Sequence, residues 1–130
     1  MTRRFSAVSW TKAYFERRGW TVDITEKTVQ FPDKETGRMV MVKRDLFGLA
    51  DLVMVHPDHN GTTYVQTTTG SNFADRLAKT IGSPKAMNIL KSGNAIWVVG
   101  VRKIGERGKR KVYEPHIRAI HLEELQPPPM

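Results

Sequence analysis

Residues 44–69 read RDLFGLADLVMVHPDHNGTTYVQTTT and contain the two adjacent buried strands that decide the fold. The pattern predicts one strand over residues 49–56 and a second over residues 63–69, joined by a polar turn. Each strand carries one polar side chain that its apolar neighbours do not explain, Asp51 in the first and Gln66 in the second. A carboxylate removed from water costs several kcal/mol unless it is paired. Asp51 therefore needs a partner, and a metal ion is one candidate.

The spacing of the polar residues indicates which side chains meet. Side chains two residues apart on a strand share a face, so Gln66 and Thr68 point the same way and can lie across from the start of the Asp51 strand. Oxygen ligands on two adjacent strands suit a hard cation such as Mg²⁺ or Mn²⁺. The sequence therefore predicts a magnesium or manganese site between these strands.

One stretch resembles the core of the PD-(D/E)xK nuclease superfamily, whose pattern is an Asp on one strand and an acidic-x-Lys triplet on the next. It reads GLADLV over residues 48–53 and, after a turn, VQTT over residues 65–68. The following GSN over residues 70–72 and the basic helix behind it are similar to a phage and bacterial subgroup with a Gln-x-Thr triplet. The resemblance implies a restriction-endonuclease-like core, like that of Holliday-junction resolvases.

Site roles follow from this resemblance by position. It implies that Asp51 is the central metal ligand, that Gln66 occupies the acidic position and that Thr68 occupies the lysine position. The Gln66 side-chain oxygen and the Thr67 carbonyl would be further ligands of the metal. The chain departs from the pattern twice, with Gln for Glu and Thr for Lys, and these departures bear on activity rather than on fold.

Two further acids could restore the negative charge that a neutral glutamine lacks. Asp45 either binds the metal, directly or through water, or holds Arg44 or a loop amide in place. Glu16 lies near the end of the first predicted helix, where some relatives in the family have an accessory acid. A surface ion pair between Glu16 and Lys12, one helical turn back, is the alternative.

A cation is also needed, because Thr68 cannot supply the positive charge that lysine offers to the attacking water and the scissile phosphate. Arg76 and Lys79, on the helix after the Gln66 strand, point partly toward the end of that strand. Either could supply the missing charge. The alternative for each is a solvated basic face that contacts the DNA backbone or nothing at all.

Composition and charge narrow the class of protein. The chain has 130 residues and no cysteine, which predicts one domain over residues 1–130 with a frayed tail at 126–130 and excludes a disulfide framework or thiolate site. No apolar run reaches membrane length, so we expect a soluble cytoplasmic protein of a bacterium or phage. The net charge of +8 favours a polyanionic partner, most commonly nucleic acid; ordinary solubility charge is the alternative.

Clustered cations and small polar residues indicate where a DNA backbone would bind. The candidates are Lys43, Arg44, Ser71, Asn72, Arg76, Lys103, Arg107, Lys109, Arg110 and Lys111. Those in the glycine-containing loop 103–111 could instead form a mobile charged hairpin without a ligand. His56 and His59 lack the further sulfur or imidazole ligands of a structural zinc site, so we expect turn residues near phosphate.

Periodicity predicts an α+β or three-layer α/β fold with a mixed sheet. Helices are predicted over residues 6–18, 73–81 and about 83–91, and further strands over 20–31, 39–43, 94–102 and 112–125. In the first helix, Trp10, Ala13, Tyr14 and Arg17 form one largely apolar stripe, and this helix should cover one face of the sheet. The third helix should have Ser83 as N-cap with Pro84 at its first position. The strand over 94–102 should be central and parallel to the Gln66 strand.

Two hypotheses of function follow. The first is a metal-dependent DNA endonuclease that cuts or resolves DNA, branched DNA included, as a homodimer with one site per strand. The second is a DNA-binding or inhibitory protein that keeps the nuclease fold without cleaving. An RNA-binding protein shares the charge but lacks the exposed aromatic pairs that stacking modules use.

Overall fold

The computed structural model describes residues 5–105, 108 and 112–125, and within them an α+β fold with a mixed sheet and flanking helices. The helices are α1 (Ala7–Glu16), α2 (Phe73–Ile81) and α3 (Ala86–Lys91). The strands are β1 (Thr21–Ile24), β2 (Lys27–Pro32), β3 (Met39–Arg44), β4 (Leu52–Val55), β5 (Thr63–Thr69), β6 (Ala95–Ile104) and β7 (Val112–Ala119). Short 3₁₀ turns cover Gly70–Asn72 and Leu122–Glu124. No helix among the described residues is long and apolar enough to span a membrane.

Five strands form the main sheet in the order β1-β4-β5-β6-β7. Only β5 and β6 are parallel, as α2 and α3 carry the chain from one to the other, and the remaining pairs are antiparallel. The predicted parallel partner of the Gln66 strand is therefore confirmed. The mixed sheet brings the start of β4 and the end of β5 to the same edge of the fold.

Each face of this sheet is covered by helix. On one face α1 packs Phe15 against Leu52, Val65 and Val99, and on the other α2 and α3 cover Ile96 and Val98. Burial of these apolar side chains is the main stabilisation, at roughly 25 cal/mol for each Å² removed from water. The sheet is thus a rigid base for side chains at its edge.

Gly100 explains how closely α2 approaches β6. A Cβ atom at Gly100 would lie 2.6 Å from Cδ2 of Phe73, which no real contact allows. The Phe73 ring therefore occupies the space above the glycine, and it stacks on His116 with centroids 4.1 Å apart. Phe73, Leu77 and Ile81 pack toward the sheet as the four-residue spacing predicts.

The first helix turns a partly different face to the sheet from the one predicted. Thr11 and Phe15 are buried, whereas Ala13 and Arg17 are exposed. Phe15 fits between Trp20 and Trp97, with centroids 5.9 Å from each, and this contact sets the rotation of the helix. The predicted stripe holds at Trp10 and Tyr14, which are half-buried and stack on each other with Tyr14 against the core, and is wrong at Ala13 and Arg17.

Several predicted boundaries also shift. The strand over residues 49–56 shrinks to β4, since residues 46–50 form a tight loop instead. The strand over 20–31 breaks at Thr25 and Glu26 into β1 and β2, which belong to different sheets. The third helix begins at Ala86 with Lys85 as N-cap, because Ser83 and Pro84 lie in the turn before it. The last strand ends at Ala119.

Candidate metal centre

A cleft opens at the edge of the sheet where β4 begins and β5 ends. Its walls come from the start of α1, the segments beside β2 and β3, the end of β5 and the start of α2. Seven of the predicted site residues line it: Asp45, Asp51, Gln66, Thr67, Thr68, Asn72 and Arg76. The structure thus brings together residues that lie far apart in the sequence.

The Asp51 side chain bonds to β5 beyond the point where the pairing of β4 with β5 ends. The β4 ladder pairs only with Thr63, Tyr64 and Val65, so the rest of β5 has no β4 residue opposite it. The Thr67 backbone N–H instead donates to Asp51 Oδ2 at 2.9 Å. Side-chain and backbone groups thereby close the sheet edge around a carboxylate that is only 6% exposed.

Two more donors converge on the same carboxylate oxygen. Thr67 Oγ1 donates to Asp51 Oδ2 at 2.9 Å, and the Gln66 Nε2 amide donates to it at 3.1 Å. Gln66 Nε2 also lies 3.3 Å from the Thr67 carbonyl oxygen, which accepts from it. These contacts fix the orientation of the Asp51 carboxylate. All three donors bind Oδ2, and Oδ1 accepts none of these three hydrogen bonds. The predicted roles of Gln66 and Thr67 as metal ligands stay predictions.

Burial dominates the titration of Asp51. Its removal from water raises the pKa of this carboxyl from 3.8 to about 7, against the lowering effect of the Thr67 N–H. Asp45 raises the pKa further through its like charge and through a hydrogen bond to Asp51. Near neutral pH the carboxyl group is therefore poised between a proton and any cation that can replace it.

A tight loop brings Asp45 to this position. Leu46 and Ala50 exchange two backbone hydrogen bonds of 3.0 Å, which fold the chain back on itself just before Asp51. The reversal needs the left-handed backbone of Phe47 (φ 57°) and Gly48 (φ 72°). A Cβ at Gly48 would meet nothing within 4 Å, so turn geometry, rather than close approach of another group, accounts for this glycine.

Glu26 is the third acid, and sequence reasoning missed it. The backbone N–H groups of Thr25 and Glu26 donate to the Asp51 carbonyl at 2.8 and 3.4 Å. Thr25 Oγ1 also donates to the Ala50 carbonyl at 2.7 Å. These bonds hold the break between β1 and β2 against the start of β4. The one signal in the sequence was the interruption of the apolar pattern at this acid.

The three carboxylates converge. Each of Glu26, Asp45 and Asp51 offers an oxygen within 4.8 Å of the others, with Asp51 buried and the other two half-buried. Three negative charges so close repel one another strongly in a partly desolvated site. Oxygen donors at this separation suit Mg²⁺ or Mn²⁺. The donor set therefore fits a hard divalent cation.

The two predicted helix cations differ in position. Arg76 is half-buried and lines the cleft one turn into α2. Lys79 is exposed and lies about 5 Å further along the helix axis, outside the lining of the cleft. Of the two, Arg76 is therefore the one that lines the cleft together with Asp45 and Asp51.

Glu16 lies away from the cleft. Both of its carboxylate oxygens accept from Lys12 Nζ at 3.0 Å, which is the ion pair weighed as the alternative. Only the start of α1, at Ala7 and Val8, lines the cleft. At 1.5 Å per residue, Glu16 is about 13 Å further along the helix.

The remaining predicted DNA contacts lie on several elements. Arg44 is exposed at the end of β3, beside Asp45, and Lys43 precedes it in the strand. Ser71 lies in the 3₁₀ turn, with its hydroxyl 3.3 Å from Thr69 Oγ1, and Lys103 is exposed near the end of β6. Arg107, Lys109, Arg110 and Lys111 lie outside the described residues.

The two histidines lie at the opposite end of β4. His56 and His59 pack on Trp20, with ring centroids 5.1 and 4.8 Å from it. His56 Nδ1 accepts from the Asp58 backbone N–H at 3.0 Å. Both rings therefore extend the aromatic layer on the α1 face.

Comparison of the chain with protein-family models, curated proteins and solved structures finds no match. The resemblance to PD-(D/E)xK nucleases therefore rests on the residues quoted for it.

Proposed function

We propose that this protein is a metal-dependent DNA endonuclease of bacterial or phage origin, with a restriction-endonuclease-like core and its active site in the Asp51 cleft. The observation that carries the proposal is the convergence of Glu26, Asp45 and Asp51 within 4.8 Å at a sheet edge, next to Arg76. A buried acid with two acidic neighbours is costly without a cation, and the surrounding chain is basic, as a DNA-binding protein requires.

In this proposal the three carboxylates hold Mg²⁺ or Mn²⁺. When bound, such a cation supplies Lewis acidity for water activation and for the charge that develops on the phosphate. Gln66 and Thr67 orient Asp51 through their hydrogen bonds to Oδ2. Arg76 supplies positive charge to the phosphate in place of the lysine that Thr68 replaces.

Three carboxylates also answer the question raised by the neutral Gln66. Because Gln66 stands where the nuclease pattern has an acid, the site needs negative charge from another residue. Asp45 was a candidate for this from the sequence, and Glu26 is a second source that the fold places beside Asp51. In our proposal Glu26 takes the accessory part that the sequence suggested for Glu16.

A catalytically inactive DNA-binding or inhibitory protein is the second candidate. Two observations favour it: Gln66 turns its amide nitrogen toward Asp51, and a threonine occupies the lysine position at the cleft. Both candidates bind DNA and differ in hydrolysis. Cleavage of both strands of a duplex would need two sites, so for the first candidate we expect a homodimer.

One experiment separates the candidates. Wild-type protein is incubated with supercoiled plasmid and with a four-way junction, with Mg²⁺ or Mn²⁺ and with EDTA. We expect metal-dependent nicking by the wild type, loss of nicking by Asp51→Ala, and normal nicking by His56→Ala, which changes the other end of β4. Absence of nicking by the wild type, or equal nicking by Asp51→Ala, would rule out the endonuclease.

A further inference from the structure

The β2–β3 ribbon, residues 27–44, extends directly from the acidic cleft. Glu26 precedes its first residue and Asp45 follows its last, so two of the three acids form its base. Lys27 and Arg44 pair across the ribbon at this base. The backbone that positions the Glu26 and Asp45 carboxylates therefore also fixes where the ribbon leaves the cleft.

Within the described part of the chain, the ribbon pairs with itself and not with the main sheet. A lone two-stranded ribbon is at best marginally stable in water, so its surface calls for a partner. One face carries cross-strand apolar pairs, Val29 with Val42 and Phe31 with Val40, which hold the two strands together.

The opposite face is the more exposed of the two, since Phe31 and Val40 on the first face are 39% and 36% exposed. It carries the cross-strand pairs Gln30 with Met41 and Pro32 with Met39. Met39 and Met41 are 59% and 64% exposed, the largest values among the exposed hydrophobic side chains of the described residues. Flexible thioethers flanked by an amide make this face adaptable and capable of hydrogen bonding.

The tip of the ribbon is a built turn. The Asp33 carboxylate accepts from the Glu35 backbone N–H at 3.1 Å and from Thr36 Oγ1 at 3.0 Å. The Asp33 N–H donates to the Arg38 carbonyl at 2.8 Å. One of the acids of the ribbon is therefore used to shape the turn, and the hydrogen bonds hold the two strands at a defined separation.

The net charge of the ribbon favours a polyanionic partner. Residues 27–44 contain five basic side chains (Lys27, Lys34, Arg38, Lys43 and Arg44) and two acidic ones (Asp33 and Glu35), a net charge of +3. A second copy of the ribbon would bring like charge against like, whereas a polyanion complements it. The major groove of DNA, about 12 Å wide, admits a two-stranded ribbon, and six residues of β2 span about 20 Å.

We propose that the β2–β3 ribbon lies in the major groove of duplex DNA beside the phosphate held in the Asp51 cleft. The inference rests on the proposed function in naming DNA as the partner. Gln30 reaches a base edge and Met41 makes apolar contact beside it, while Lys34 and Arg38 at the tip of the ribbon contact phosphates. The ribbon thus sets which duplex segment enters the cleft.

The first test shortens the ribbon. Residues 29–42 are replaced by Asn-Gly, which closes Thr28 onto Lys43 with a two-residue hairpin turn and keeps Glu26 and Asp45. Binding of a 20-base-pair duplex is followed by fluorescence anisotropy with Ca²⁺. We expect affinity to fall by on the order of 30-fold, and the slope of log affinity against log salt to fall by about 2, for Lys34 and Arg38. Mn²⁺ binding by calorimetry should stay within about 2-fold, which reports an intact cleft.

A point variant with a matched control keeps the test valid if the shortened chain fails to fold. Met41→Glu places a negative charge on the more exposed face of the ribbon and should weaken duplex binding by about 10-fold. Leu122→Glu makes the same change at a 41% exposed position at the other end of the sheet and should have no effect. Pre-bound netropsin, a minor-groove ligand, should leave affinity unchanged.

The outcomes separate the ribbon from the nuclease. Unchanged duplex affinity in the shortened and Met41→Glu variants would overturn the inference. So would netropsin competition, or conversion of a dimer to a monomer with full DNA affinity, which would make the ribbon a subunit contact. If the wild type does not cleave DNA while the ribbon variants lose binding, the ribbon proposal stands and the endonuclease falls.

Discussion

The two ends of β4 both gather titratable side chains, but only one of them gathers charges of the same sign. At the start of the strand, Asp51 is buried and shares a 4.8 Å cluster with Asp45 and Glu26. The pKa of Asp51 rises to about 7 there, because burial and a neighbouring acid both oppose its charge. A proton or a cation therefore stabilises this end of the strand.

At the other end of β4, the titratable side chains are satisfied by packing and by a hydrogen bond. His56 and His59 pack on Trp20, and the His56 ring accepts a backbone hydrogen bond from Asp58. Imidazole rings packed against an indole gain apolar contact, and no carboxylate cluster forms at this end among the described residues. Proximity of ionisable residues is thus a poor guide to a functional site, whereas like charges gathered around a buried group are an informative one.

The largest expected effect comes from removing the buried acid. Asp51→Asn keeps an oxygen that can accept from Thr67 but removes the charge, so Mn²⁺ affinity should fall by at least about 100-fold. His56→Asn, the matched change at the other end, should leave it unchanged. Calorimetric titration with Mn²⁺ measures both. Equal Mn²⁺ affinity in wild type and Asp51→Asn would place any metal elsewhere.

The second effect is on stability as a function of pH. Because the folded-state pKa of Asp51, about 7, lies above its ordinary value of 3.8, the folded state binds the proton more tightly. Its contribution is full below pH 4 and is lost as the pH rises through 7. We expect the unfolding free energy of the metal-free protein to drop by an amount on the order of a few kcal/mol over this window.

Urea unfolding between pH 4.5 and 7.5 checks this, with Asp51→Asn as the control that should remove the drop. Glu124 acts in the opposite sense, since its hydrogen bond from Arg118 lowers its pKa to about 2. Its contribution is present above about pH 4.5 and is lost only as the pH falls toward 2, below the window of Asp51. A drop of the same size in Asp51→Asn would assign the effect to other groups.

An intermediate effect should follow from Asp45→Asn. The change removes one of the three charges and also the like-charge repulsion that raises the pKa of Asp51. Mn²⁺ affinity should fall by about 10-fold, less than for Asp51→Asn. Asp58→Asn is the control at the histidine end. Calorimetry at pH 7.5 measures both, and a larger loss for Asp58→Asn would reverse the comparison.

The sequence was most informative about features that depend on the residue pattern of a single strand or helix. The apolar runs predicted β5 as Thr63–Thr69 and α2 as Phe73–Ile81, and the structure has the same bounds. Asp51 and Gln66 were singled out because each interrupts a buried run, and their side chains are 3.1 Å apart. Local patterns carry this information because a polar residue within an apolar run can be recognised from the sequence without knowledge of the fold.

Glu26 could not be found in this way. The backbone N–H groups of Thr25 and Glu26 both donate to the Asp51 carbonyl. The break in the apolar pattern at Glu26 indicates where a strand ends, but it does not show this contact with a distant segment. The choice between Glu16 and another acid depended on which end of α1 faces the cleft. That orientation follows from the packing of Phe15 against Trp20 and Trp97, a contact that no spacing rule gives.

The smallest expected effect is therefore a sharp test of the same comparison. Glu16→Gln removes an acid that lies about 13 Å along α1 from the cleft and pairs with Lys12 in an exposed ion pair. We expect Mn²⁺ affinity to stay within about 2-fold and the unfolding free energy to change by less than about 0.5 kcal/mol. Lys12→Gln should match it, because both changes break one surface pair. A 10-fold loss of Mn²⁺ affinity in Glu16→Gln alone would mean that α1 brings this acid to the metal, and Glu26 would then lose its accessory part.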